Sequence, residues 1–155
     1  MKNCKLSWSL VVVLSIIVTL LGYKFTVGEV KPSDDGRQAV MLTKDERNAL
    51  LLEMRNWLQS SQGILAAASE KDFAAVSKSA RASGMAAEAD TQGSLFRKIP
   101  VEMKALGFGT RKKFDDIATD AEEFKDSNRI VSKLSMAMNN CIACHATYRF
   151  VEIKQ

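Results

Sequence analysis

The residues with the most distinctive chemistry stand near the C-terminal end, in the run Cys141-Ile142-Ala143-Cys144-His145. A C-x-x-C-H motif is typical of covalent attachment of a c-type haem. Thiols three residues apart lie on one face of a helix, where both can add to the vinyl groups at one porphyrin edge. The histidine that follows can then bind the iron from below the ring. Because His145 is the only histidine in the chain, it is the only imidazole candidate for that bond.

Three other uses of paired cysteines each need something more. A thioredoxin-like redox pair needs a βαβ context, and we find no strand-like alternation after the N-terminal leader. Structural zinc needs four ligands, and the only other cysteine, Cys4, precedes an apolar run. The third alternative is a pair of incidental cysteines buried as small apolar side chains. We expect one covalent haem c, held by Cys141, Cys144 and His145.

Residues 1–23 predict a segment that enters a membrane. Lys2 and Lys5 precede an uncharged apolar run from Leu6 to Tyr23. This run is longer than a signal-peptide core of roughly 7–15 residues and slightly short of a span of about 20 residues, and no A-x-A cleavage site follows it. We favour an uncleaved anchor, with a cleaved signal peptide as the alternative. Positive residues at the N-terminus stay inside, so the rest of the chain is expected to be exported.

Charge and motif content argue against two classes of function. Of the 22 Lys and Arg residues, Lys2, Lys5 and Lys24 belong to the leader region, which leaves 19 basic residues against 18 acidic ones. No basic stripe for nucleic acid is therefore predicted. We find no paired carboxylates, nucleophile elbow or glycine-rich phosphate loop, and no second histidine, so we do not expect an enzyme.

The elements that must position the motif follow a short connection. Residues 24–42 mix Pro, Gly, Ser and Asp with little apolar periodicity, which predicts a flexible tether. The domain is predicted over residues 43–155 and starts with a capping box of Thr43 and Glu46. Apolar and small residues then recur at steps of three and four, as on one face of a helix. They are Leu51, Met54, Leu58, Ser61, Leu65 and Ala68.

Three further helices are predicted. The second starts near Ser69–Asp72, the third runs from Thr110 to Phe124, and the last begins near Asp126 and carries the motif and Tyr148 on its apolar stripe. The stretch Asp90–Pro100 is predicted as a connection. Four amphipathic helices with short links predict an all-α, antiparallel four-helix bundle, in which cofactor sites lie between facing helices.

With its motif on the last of four helices, the chain resembles the cytochrome c-prime and cytochrome c-556 superfamily. Most small c-type cytochromes carry C-x-x-C-H near the N-terminus, whereas this superfamily carries C-x-A-C-H-x-x-Y-R in its last helix, found here from Cys141 to Arg149. The resemblance covers helix order and length from Leu42 to Phe150. It implies an exported bacterial haem protein that is often a homodimer. With the N-terminal segment as an anchor, we expect the protein in the periplasm at the inner membrane, with redox partner proteins there.

The resemblance also implies roles for individual residues. Cys141 and Cys144 form the thioethers, His145 is the proximal iron ligand, and Arg149, one helical turn further on, lies near the haem edge or a propionate. The alternative for Arg149 is a solvated residue at a helix end, where the helix dipole favours a cation.

The residue on the other face of the iron separates two functions. Met54 as second axial ligand gives a six-coordinate electron carrier of higher potential, which we favour. In the c-prime branch a leucine follows an arginine by four residues, here Leu51 after Arg47, and leaves an open site for small gases such as nitric oxide. Met103 is a weaker candidate ligand. A third hypothesis is a non-haem protein with a disulfide between the two motif cysteines.

Overall fold

The computed structural model describes residues 2–88 and 93–153, and these are mostly helical. Residues 89–92, which include the start of the predicted connection, lie outside the described residues, as do the side chains of residues 2–6 in the leader. The helices are α1 Lys2–Val27, α2 Lys44–Ser69, α3 Phe73–Arg81, α4 Gly93–Lys98, α5 Val101–Glu123 and α6 Ser127–Thr147, with a 3-10 turn at Met85–Glu88. The strands are β1 Val30–Pro32, β2 Gln38–Leu42 and β3 Tyr148–Glu152.

Helices α2, α3, α5 and α6 surround one apolar core, each in contact with its two neighbours around the ring. Each fully buried Val, Leu, Ile or Phe side chain contributes roughly 1.5–3 kcal/mol to such a core. Its members are Ile64, Ala67, Ala68, Val76, Ala80, Phe114, Ile117, Ala118, Ala121, Ile130 and Leu134. This core packs the four helices together at the end that lies away from the C-x-x-C-H motif.

Two of the predicted helix starts are confirmed by their caps. The Thr43 amide donates to Glu46 Oε2 at 2.8 Å, and the Glu46 amide donates back to Thr43 Oγ1 at 3.4 Å, which completes the capping box. Asp126 caps α6 by accepting from the Asn128 amide at 2.9 Å. Within the predicted start at Ser69–Asp72, the residue that caps α3 is Asp72, because α2 continues through Ser69.

The third predicted helix begins too late. Helix α5 starts at Val101, so Leu106–Gly109, with its two glycines, lies inside the helix. Glycine disfavours a helix interior by about 1 kcal/mol, and packing of the buried Met103 and Thr110 on either side outweighs that preference. The connection predicted over Asp90–Pro100 contains the short helix α4.

The segment predicted as a flexible tether instead forms two strands, so a purely all-α fold is wrong at this point. Strand β1 pairs antiparallel to β2, and β2 pairs parallel to β3. Val40 and Leu42 are fully buried in a second apolar cluster, which Tyr148 joins from β3. Strand β2 has only five residues, and its partner β3 lies far along the chain, so local periodicity carries little trace of the sheet.

The last helix ends at Thr147, one residue earlier than its apolar stripe predicts. Tyr148 and Arg149 therefore lie on β3 and not on a further helical turn. The buried Tyr148 hydroxyl donates to Glu102 Oε2 at 3.3 Å. Pairing with β2 extends the backbone at this point, which turns Arg149 away from the helical position that the sequence pattern implies.

Helix α1 is long and apolar enough over Ser7–Val27 to cross a membrane, a property that it shares with signal sequences. Its side chains from Ser7 to Thr26 are exposed. The helix therefore contributes to the domain only through its last turn.

Replacement of Leu42 by alanine tests whether the sheet is part of the folded domain. Leu42 is 0% exposed, so we expect Leu42→Ala to lower the free energy of unfolding by roughly 2–5 kcal/mol, measured by denaturant titration in detergent. The matched control is Leu52→Ala on α2, since Leu52 is 52% exposed and should cost less than about 0.5–1 kcal/mol. Equal small losses would mean that the segment is a tether.

Candidate cofactor site

The C-x-x-C-H motif lies on the last turns of α6. Because this part of α6 is helical, Cys141 and Cys144 stand one turn apart on the same face, with His145 next to them. Both thiols are half-buried and free of any disulfide, and the His145 side chain is exposed. Burial, the largest influence on both thiols, raises their pKa values. Reactive dithiol oxidoreductases have lowered thiol pKa values instead.

An open cavity of about 440 Å³ separates α6 from α2 at the level of the motif. We call it the main cavity. This volume lies in the range of roughly 300–1,000 Å³ that cofactor pockets occupy. Its walls are mostly apolar and carry all three motif side chains. The residues that line it include Leu51, Met54, Trp57, Leu58, Leu106, Met138, Cys141, Cys144 and His145.

Helix α2 presents two apolar faces, and only one packs against protein. Leu50 and Ile64 are buried in the two clusters, whereas Leu51, Met54 and Leu58, the first half of the predicted core stripe, line the main cavity. Leu58 is 70% exposed. Of the predicted stripe, Leu51, Met54, Leu58 and Ser61 line the main cavity, Leu65 is exposed, and only Ala68 is buried in the core. An apolar ligand in the main cavity would cover the exposed side chains that line it.

Two smaller cavities adjoin the main one, because all three share Met54 and Cys144 as lining residues. The apolar cavity, about 80 Å³, is lined by Leu50, Trp57, Phe96, Ile99, Met103 and Phe108 with Glu53, Lys104 and Arg111. Arg111 donates a hydrogen bond to the Glu53 carboxylate, and its Cζ lies 5.6 Å from the Trp57 ring centroid. Met54 therefore stands at the junction of the three cavities, beside Cys144.

The arginine cavity, about 160 Å³, carries positive charge next to the motif. Arg37, Arg47 and Arg149 line it together with His145, Tyr148 and Phe150. Arg37 Nη1 donates to the backbone oxygen of His145 at 3.3 Å. Arginine is well suited to bind carboxylates, since its planar guanidinium donates two parallel hydrogen bonds.

Asp35, in the turn between β1 and β2, joins two of these arginines. Its Oδ2 accepts from Arg37 Nη2 at 2.7 Å and from Arg149 Nη1 at 3.1 Å. The hydrogen bond from the Arg37 side chain is the main cause that lowers the pKa of Asp35 to about 2. The hairpin is thus fastened to the end of α6 by charge-assisted hydrogen bonds.

The sequence-predicted site residues lie as follows. Leu51, Met54, Cys141, Cys144 and His145 line the main cavity together, and Arg47 and Arg149 lie beside it. Met103 is buried on α5 and lines only the apolar cavity. Among the side chains that the structure describes, no cluster of three or more His, Cys, Asp or Glu residues could hold a metal ion.

Sequence reasoning missed Asp35 and Arg37. Both fall in the segment whose composition predicts a tether, and neither has a motif around it. The one available signal is the Asp-Asp-Gly run before Arg37, which is typical of a hairpin turn. Gly36 has a φ of +81° in that turn.

The side chains at the site fit a c-type haem. A porphyrin is a flat apolar ring, which the walls of the main cavity match, and its two propionates match the arginine cavity. Two thiols and an imidazole stand side by side on one wall. These are the donors that covalent attachment and axial ligation require.

Comparison with known proteins found no matching family model, no matching curated protein and no matching solved structure.

Titration of Asp35 tests the fastening of the hairpin. Its pKa is lower in the folded chain than the ordinary 3.8, so its contribution to stability is complete above that pH and is lost as the pH falls towards 2. We expect Arg37→Ala to return the pKa of Asp35 towards 3.8 in carboxyl-carbon NMR, and Arg149→Ala to shift it less. An Asp35 that titrates normally in the unmodified chain would contradict the observed pairing.

Proposed function

We propose that this chain is an exported c-type cytochrome with one covalent haem c that carries electrons. The observation that supports this most directly is the position of Cys141, Cys144 and His145 on one wall of an apolar cavity. The raised thiol pKa values and the uncovered stripe on α2 favour haem over a redox-active dithiol.

Each residue of the site has a part in this proposal. Cys141 and Cys144 would form the thioethers, and His145 would be the proximal ligand. Bound haem supplies a one-electron couple between its ferric and ferrous states. Leu51 and Leu58 would exclude water from the ring, because their side chains form the apolar wall opposite the motif. Arg149, with Arg47, would neutralise the propionates at the charged end.

Met54 is the better candidate for the second axial ligand. It lines all three cavities that meet beside Cys144, whereas Leu51 lines only two of them. A thioether ligand on the iron raises the reduction potential, which suits an electron carrier. Because Leu51 also faces the motif, a five-coordinate haem that binds small gases such as nitric oxide is the second candidate function.

Location follows from α1 in this proposal. The helix would be an uncleaved anchor in the bacterial inner membrane and would hold the four-helix haem domain in the periplasm. Redox partner proteins would then be periplasmic or membrane-bound. A homodimer remains part of what the superfamily resemblance implies, and we propose no enzymatic activity.

Covalent haem is tested by expression with a c-type maturation system. The purified chain should be heavier than the polypeptide by one haem and give a c-type pyridine haemochrome spectrum. Cys141→Ala with Cys144→Ala should abolish both signals, because no thioether can form. The control, Cys4→Ala, should leave both unchanged. A colourless product of bare polypeptide mass would end the proposal.

Axial ligation is tested by optical spectroscopy of Met54→Ala. We expect the unmodified protein to be low-spin, with a weak thioether-to-iron band, and the variant to be high-spin with a lower potential. Met136→Ala is the matched control, because Met136 is 57% exposed and lines none of the three cavities. A high-spin unmodified protein that binds carbon monoxide or nitric oxide in its ferrous form would favour the gas-binding function instead.

A further inference from the structure

The last turn of α1 packs directly against the domain. The Phe25 ring lies 6.0 Å from the Phe96 ring on α4, and Phe96 lies 6.2 Å from Phe108 on α5, measured between ring centroids. Lys104 Nζ stands 3.8 Å from the Phe25 ring centroid and donates to the Phe25 backbone oxygen at 3.4 Å. Cation–π contacts of this kind hold the end of α1 in a defined place.

The chain leaves α1 through a turn that only glycine fits. Gly28 has a φ of +69°, and a Cβ at this position would lie 2.3 Å from the Lys98 backbone oxygen. The next amide, that of Glu29, donates to the same Lys98 oxygen at 2.7 Å. The connection between α1 and the domain is therefore a close backbone contact and not a spacer.

The length of α1 sets the depth of this contact in a membrane. Ser7–Val27 comprises 21 residues, which at about 1.5 Å per residue is close to the roughly 30 Å of a bilayer core. Phe25 then lies at the outer boundary of that core. Phe96 and Lys104, which touch Phe25, are consequently brought to the level of the lipid headgroups.

The surface around this contact has the chemistry of a membrane interface. Phe108 and Val101 on α5 are 36% and 39% exposed, and Arg97 on α4 is also exposed. Aromatic rings and long cationic side chains favour the headgroup region. Phospholipid headgroups also attract an exposed cation such as Arg97.

We propose that α4 and the first two turns of α5 form a docking face for the phospholipid surface in which α1 is anchored. This inference rests on the proposed function in one respect, that α1 is retained as an anchor. The domain is then held in one orientation on the membrane. The apolar cavity, which Phe96, Phe108 and Cys144 line, lies beside this face, so the cofactor site is held near membrane-bound redox partners.

The test uses the full, haem-loaded chain in nanodiscs of phosphatidylcholine and phosphatidylglycerol. A small share of the lipid carries a diazirine near its headgroup, and adducts are mapped by mass spectrometry after illumination. We expect adducts on residues 7–27 and on residues 93–108, and none on α3, which serves as the control surface. Adducts on 7–27 alone, or equal labelling of α3 and α4, would overturn the docking face and leave the anchor intact. No adduct on 7–27 would overturn both.

Two glycine variants sharpen the test. Gly28→Ala should lower the adduct yield on residues 93–108 severalfold and leave that on residues 7–27 unchanged, because the added methyl group clashes with the Lys98 oxygen. Gly36→Ala is the matched control, since its φ is also positive, +81°, but nothing lies within 4 Å of its Cβ. The haem spectrum verifies that both variants fold. Equal adduct yields in the two variants would contradict the proposal.

Discussion

Helix α2 has two apolar faces, and the rest of the protein covers only one of them. Ile64 and Ala68 pack into the core shared with α3, α5 and α6. Leu51 and Leu58 face an open cavity instead. At about 25 cal/mol per Å² of apolar surface, such exposure costs several kcal/mol in a domain whose net stability is about 5–15 kcal/mol. The position of the thiols and the imidazole opposite this face connects the constraint on stability with the chemistry of the site.

The small sheet is the second constraint, because it determines where the C-terminal end of α6 points. Strand β3 begins directly after the helix and pairs with β2. This pairing fixes Tyr148 in the second apolar cluster and brings Arg149 to Asp35. Without β2, the sequence pattern would continue the helix through both residues. Because of the sheet, Arg149 lines the arginine cavity and does not continue the helical stripe of α6.

The charges around the site fall on two separate sides. Arg37, Arg47 and Arg149 line one adjoining cavity, while Lys104 and Arg111 line the other, next to the end of α1. The first group faces His145, where carboxylates of a bound ring would need partners. Lys104, in the second group, contacts Phe25 at the end of α1. A single net charge for the whole chain conceals this division.

Much of the site could be predicted from sequence because its chemistry is local. Cys141, Cys144 and His145 stand within five residues of one another, so their spacing alone predicts one helical face. The capping box of Thr43 and Glu46 fixes the start of α2 for the same reason.

Only the tertiary structure decided which residues surround that motif. Strand β2 has too few residues to show a period, and its parallel partner lies at the other end of the domain, so the sheet and the placement of Asp35 depend on long-range pairing. The choice of which stripe on α2 packs inward also depended on the neighbouring helices, because Leu50 and Leu51 are equally apolar in sequence. The sequence by itself therefore determined Cys141, Cys144 and His145 and the helix that carries them. Contacts between residues far apart in the chain determined the main cavity, the arginine cavity beside it and the position of α1 against the domain.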